Sequence, residues 1–137
     1  MKSKTRVAIS KKLSSQTRQR INRIPSDPLD VFVFGEGACG ELGLGSKIVK
    51  GQSLTDVMRP RLNKPLSSDD VGVVQITCGG MHVVALTKDN KILTWGVNDF
   101  GALGRATNVE EDEDDEFNPA GSTPGPVDVS GLDPNVL

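Results

Sequence analysis

The chain has 137 residues, room for one modest domain, and its 36% hydrophobic and 4% aromatic content with fifteen glycines favours strands and turns over long helices. Two cysteines, Cys39 and Cys78, supply neither a disulfide framework nor, with the single His82, a zinc site; no metal and no cofactor are expected, and both thiols read as reduced in an intracellular protein. Apolar runs of only a few residues exclude a membrane-spanning segment and a secretory signal, so a soluble protein is expected, and the net charge of -2 averages two opposed segments.

The first of these is residues 1–26. Lys2, Lys4, Arg6, Lys11, Lys12, Arg18, Arg20 and Arg23 make up eight of the sixteen basic residues and all precede the first acid, Asp27. Val7, Ile9, Leu13, Ile21 and Ile24 hold no helical register, so a disordered tail is expected. Its charge admits three readings: an arm that binds nucleic-acid phosphates, a loose nuclear-import cluster, or a mitochondrial transit peptide, the last weakened by the missing amphipathic face. The folded domain is expected over 27–137.

It opens with "VFVFGEGACGELGLG", in which Gly35, Gly37 and Gly40 have the GxGxxG spacing that cradles a pyrophosphate at a helix N-terminus. A nucleotide site also needs the helix, and "ELGLGSKIVKGQ" makes a poor one, since each interior glycine costs about 1 kcal/mol. Strands are expected over Val31–Phe34, Val73–Cys78, His82–Thr87 and Lys91–Trp95. Gly79 and Gly80 turn the second into the third, and Asp89 and Asn90 turn the third into the fourth. Three consecutive strands with no helical period between them make an antiparallel meander.

The chain repeats itself. "VFVFGEGACGELGLG" laid over "ILTWGVNDFGALGRA" at an offset of 61 aligns Phe34 with Trp95, Gly35 with Gly96, Gly40 with Gly101, Leu42 with Leu103 and Gly43 with Gly104. These residues are read as the structural skeleton of the repeat, with Phe34, Trp95, Leu42 and Leu103 packing between units. Gly37 faces Asn98, so the GxG half of the apparent fingerprint is not part of the repeat. A polar loop and a proline-marked return follow each copy, "RPRLNKPL" and "STPGPVDVSGL". The seven acids Glu110–Glu116 lie in a loop insertion drawn over 108–122, read as a solvated segment, with histone binding as the functional alternative.

Aromatic-Gly, Gly-x-Leu-Gly and "CGGMHVVAL", with "PLDVFVFG", "RPRLN" and "WGVNDFGALGR", resemble the regulator of chromosome condensation family over about residues 28–130. The resemblance implies an all-β fold, a partial β-propeller holding one complete repeat and part of the next of a seven-bladed ring. Seven such units need about four hundred residues, so the chain is expected to be an N-terminal fragment that is marginally stable alone. The branch it resembles, fungal versions included, implies a chromatin-associated guanine-nucleotide exchange factor for the Ran GTPase. Such a factor binds the nucleotide-free GTPase and serves nucleocytoplasmic transport and the cell cycle, in the nucleus and secondarily in the cytoplasm.

The implied partners are Ran and chromatin, DNA through the basic tail and histones, with no membrane and no small-molecule substrate. The alternative is a repeat-propeller scaffold for another protein. No residue set offers covalent chemistry, so the expectation is a GTPase regulator and not an enzyme, with exchange activity only in the complete propeller. His82 is either a turn histidine whose ring nitrogen satisfies a backbone group or a contact on the GTPase face. Asp99 is either a turn former that caps backbone N–H groups or part of an acidic contact rim. Ala38 stands about where animal members carry a carboxylate, so that contact is missing or made otherwise. Arg105 is either a loop salt-bridge residue or a partner contact.

Overall fold

The computed structural model describes residues 25–45, 48, 49, 52, 53, 55–107 and 118–132; the basic cluster Lys2–Arg23 and the acidic run Glu110–Glu116 lie outside them. Among the described residues there are eight strands: β1 Phe32–Glu36, β2 Ile48–Val49, β3 Gln52–Ser53, β4 Asp56–Leu62, β5 Val73–Cys78, β6 His82–Thr87, β7 Ile92–Gly96 and β8 Gly125–Pro126. Two short 3-10 turns, Lys64–Leu66 and Asp99–Gly101, and one helical turn, α1 Pro119–Ser122, complete the list.

The three-stranded meander is as the sequence predicts, and a strand it did not predict completes it: β5, β6, β7 and β8 form one four-stranded sheet in that order, every neighbour antiparallel. β6 alternates half-buried and buried residues, the period-2 signature of a strand with one face on the core. Asn90 takes the left-handed conformation its hairpin position requires, at φ 59°. β8 closes the sheet with Pro126 opposite Leu93, where the missing N–H is harmless on an edge strand.

β4 is the longest of the strands not predicted from the sequence, the others being the two-residue β2, β3 and β8. It pairs antiparallel with β1, but the register jumps between Val33↔Arg61 and Gly35↔Val57, so Pro60 sits in an irregular stretch where no ladder donor is required. The same jump accounts for a correction. Phe34, expected in the core like its counterpart Trp95, is 65% exposed, because it lies at the irregularity and lines the open groove between the two sheets. That groove has a volume of about 420 Å3 and is walled by Phe32, Phe34, Leu42, Ile76, Val83 and Trp95.

The core joins the two units. Val31 and Leu66 from the first pack with Val73, Val83, Ala85, Leu93 and Trp95 of the second. Asn63, fully buried, donates its Nδ2 to the carbonyls of Leu42 at 3.2 Å and Gly43 at 3.0 Å and so ties the end of β4 to the Gly-x-Leu-Gly turn. The sequence reading did not single it out. Leu42 and Leu103 are both buried.

Candidate functional site

The repeat glycines are conformational equivalents. Gly35 and Gly96 have φ of 103° and 107°, Gly40 and Gly101 84° and 75°, Gly43 and Gly104 65° and 60°, all in the left-handed half of the map that side chains disfavour. Their hydrogen bonds recur as well. Gly40 N–H donates to Gly37 O at 3.0 Å and Gly101 N–H to Asn98 O at 3.1 Å; Gly43 donates to Gly40 O at 3.0 Å and Gly104 to Gly101 O at 2.9 Å. With Gly37 N–H bonded to Thr55 O, the GxGxxG amides are committed to their own turns, and the next elements are strands, so no phosphate cradle forms here.

Gly37, outside the repeat frame, is required locally. A Cβ there would come within 2.5 Å of Leu42 Cγ, so the first unit fills with Leu42 the space that a side chain would need. In the second unit the matching Asn98 knits the loop instead. Its Nδ2 donates to Arg105 O at 3.1 Å and Thr107 Oγ1 at 2.9 Å, and its Oδ1 accepts from Leu103 N–H at 2.9 Å.

The end of β5, the start of β6 and the end of β7 meet at one end of the four-stranded sheet, and this brings the two predicted contact residues onto the same rim. Gly79 N–H donates to His82 O at 2.8 Å and Val97 N–H to Met81 O at 2.9 Å, which holds the "GGMH" turn beside the loop that carries Asp99. His82 is half-buried with its ring over Gly79, where a Cβ would meet Cε1 at 2.8 Å. The turn is thus closed by the histidine carbonyl, in place of the ring nitrogen expected. Gly80 has open space around it.

Asp99 is exposed, and the capping work assigned to its side chain falls to Asn98. Only its main-chain carbonyl serves the turn, accepting from Ala102 N–H at 3.1 Å. Phe100 beside it, which the sequence reading passed over, has φ 53° and is entirely exposed at 111%. The one sequence signal was a bulky ring in "NDFG", at a position next to a glycine where turns favour small or polar residues.

Among the described residues Arg105 bonds main-chain carbonyls and no carboxylate. Its Nη2 donates to the carbonyls of Thr94 at 3.0 Å, Ala120 at 3.0 Å and Thr123 at 2.8 Å, and burial pulls its pKa below the ordinary arginine value. It anchors a segment that the sequence placed inside the loop insertion. Residues 118–122 form a capped turn: Asn118 Oδ1 accepts from Ala120 N–H and Gly121 N–H, and its Nδ2 donates to Thr107 O at 2.8 Å. Ser122 of that turn wedges against Gly40, where a Cβ would lie 2.5 Å from its own.

Among the described residues no group of three or more His, Cys, Asp or Glu is placed to hold a metal ion, and no helix is long and apolar enough to cross a membrane. What the site offers is a rim of hydrogen-bonded loops at one end of an antiparallel sheet, built on a frame that recurs after 61 residues, which defines a β repeat protein. Residues 30–86 and 73–102 each match the Regulator of chromosome condensation (RCC1) repeat, and the chain belongs to that family.

Protein pim1 of Schizosaccharomyces pombe is 50% identical over 98 residues, covering 69% of this chain and 17% of pim1. Guanine nucleotide exchange factor SRM1 of Saccharomyces cerevisiae is 38% identical over 120 residues, 78% of this chain and 24% of that protein. The crystal structure of Saccharomyces cerevisiae Prp20p, described with its binding properties to Gsp1p and histones, superposes with a TM-score of 0.65 at 37% identity, over 80% of this chain and 22% of that one. The architecture is therefore a partial β-propeller, as the resemblance implied. The chain spans about a fifth of the length of the curated relatives it matches, 17% and 24% of the two above.

One expectation is overturned here. The chain was expected to serve a regulator that is not an enzyme, yet a relative is named a guanine nucleotide exchange factor, and exchange factors catalyse nucleotide release. The absence of a covalent step led the sequence reading astray: differential binding alone lowers the barrier to dissociation.

Proposed function

We propose that these repeats belong to a chromatin-associated guanine-nucleotide exchange factor for a Ran-type GTPase, acting in nucleocytoplasmic transport and cell-cycle control in the nucleus. The observation that supports this most is the 38% identity over 120 residues to a protein named as an exchange factor. The rim that carries His82 and Asp99 is then part of the face that receives the GTPase. Asp99, with its carboxylate outside the turn's own hydrogen bonding, meets a cation of the partner, and the ring of His82, steadied by Gly79, presents a polar edge.

The mechanism needs no bond to be made or broken. A surface that holds the nucleotide-free GTPase more tightly than the nucleotide-bound form weakens the nucleotide by the same factor, and each tenfold weakening takes about 1.4 kcal/mol of that preference. Rigid loops suit the task, because a rim already in its binding geometry has little entropy left to lose. The full-length protein carrying these repeats should accelerate release of a fluorescent guanine nucleotide from the GTPase. Unchanged release with an intact fold would leave a scaffold for some other partner.

The tail Lys2–Arg23 is proposed to hold DNA through phosphates, beside any contact with histones of the kind described for Prp20p. Each phosphate neutralised contributes about 0.9 to the slope of log affinity against log salt. Deleting residues 1–26 should therefore flatten that slope on duplex DNA, and an equal slope in both proteins would remove the DNA role.

A further inference from the structure

We propose that Phe100 is an aromatic anchor of this rim, a ring held out in advance to enter an apolar, basic-edged pocket on the protein partner; the inference rests on the exchange-factor reading above. Three observations carry it. First, Phe100 has φ 53° and ψ 25°, a left-handed conformation that a large side chain adopts at a cost, and such strain persists only where the surroundings impose it.

Second, the surroundings do impose it. Asn98 makes three side-chain hydrogen bonds across the loop, and the turn itself is closed by Gly101 N–H to Asn98 O and Ala102 N–H to Asp99 O, both at 3.1 Å. Third, the strain places the ring where the protein gains nothing from it: Phe100 is 111% exposed, and even a Cβ at neighbouring Gly101 would meet no atom within 4 Å. A strained backbone that exposes a large apolar ring is unfavourable on both counts in the free protein. The corresponding position in the first repeat is Cys39, so the family turn does not require an aromatic there.

The partner's chemistry follows from the rim. Between Cys78 and Thr87 and between Ile92 and Gly104 there is no lysine or arginine; the formal charge is the carboxylate of Asp99, next to the ring. Lys88 and Lys91 sit at the hairpin on the opposite end of the sheet. Met81, 47% exposed and joined to this loop through Val97, adds apolar surface. A cleft with cationic edges around an apolar floor fits such a face, as buried aromatic anchors ringed by polar contacts do at interfaces.

The test compares the full-length protein with its Phe100→Asn and Phe100→Gly variants, since both residues accept a positive φ. Melting temperature should be unchanged or raised, while the complex with nucleotide-free GTPase weakens by about thirty-fold, mainly through faster dissociation. Asp99→Asn should give a loss that shrinks as salt rises, whereas the Phe100 loss should not. Lowered melting temperature in both Phe100 variants would overturn the proposal, because the ring would then pack within the protein itself. Undiminished binding with wild-type exchange intact would overturn it and leave the exchange-factor reading standing. A wild-type protein that neither binds the GTPase nor speeds release would overturn both.

Discussion

Replacing Trp95 by alanine should cost about 3–5 kcal/mol of stability, the range for a large aromatic lost from a packed core. The ring is 1% exposed and belongs to both units at once. From β7 it stands opposite Val83 of β6 and packs into the joint core, while its Nε1–H crosses to the first unit and donates to Glu41 O at 2.9 Å. Phe at this position keeps most of the apolar area and forfeits that hydrogen bond, so Trp95→Phe should cost about 1–2 kcal/mol. Urea unfolding followed by circular dichroism reads both, and the ordering matters more than either number.

Gly43 supplies a coupled test. A Cβ there would lie 2.7 Å from Trp95 Nε1, and φ is 65°, so Gly43→Ala suffers backbone strain and collision with the indole together. In a Trp95→Ala background only the strain remains. The double-mutant cycle should therefore show coupling of about 1 kcal/mol or more, and strict additivity would mean that the indole is not the joint between units.

How much of this was legible in the sequence divides along physical lines. β5 and β6 were read to the residue, because "VVQITC" and "HVVALT" are apolar runs stopped on both sides by glycine, lysine or aspartate turns. β1 and β7 are each predicted to start one residue early and to stop short, β7 by one residue and β1 by two, since Gly35 and Gly96 continue the ladder although composition suggests a turn. β4 was hidden by Pro60, a residue that argues against a strand unless the register is broken around it.

The repeat frame was fully legible, down to glycines that proved equivalent in φ, but a repeat reports position and not neighbours. Hence Phe34 and Trp95 share a place in the frame and differ between exposed and buried. On the rim, His82 and Asp99 could be selected by type and spacing, whereas the exposure and backbone of Phe100 follow from three-dimensional closure of the Asn98 loop, which no periodicity records.

The same distinction yields the sharpest contrast between equivalent sites. Gly35, next to last in β1, and Gly96, last in β7, sit 61 residues apart and have nearly the same φ, 103° and 107°, so alanine incurs similar backbone strain at either, about 1–3 kcal/mol. Around Gly35 there is open space within 4 Å, and Gly35→Ala should cost that strain alone. At Gly96 a Cβ would drive into Met81 O and come within 2.8 Å of His82 Cα, both main-chain atoms of the opposing strand and turn. Backbone cannot rotate aside as a side chain does, so the His82↔Gly96 pair must part and the Val97 N–H to Met81 O bond with it. Gly96→Ala should then exceed Gly35→Ala by about 2 kcal/mol or more, counting one lost backbone pair and the overlap. Amide exchange should localise the damage: Val97 loses protection in the Gly96 variant and keeps it in the Gly35 variant. Equal midpoints for the two alanines would show that β6 and β7 part there at no cost, and with them the rim that carries His82, Asp99 and Phe100 would lose the rigidity on which its binding role depends.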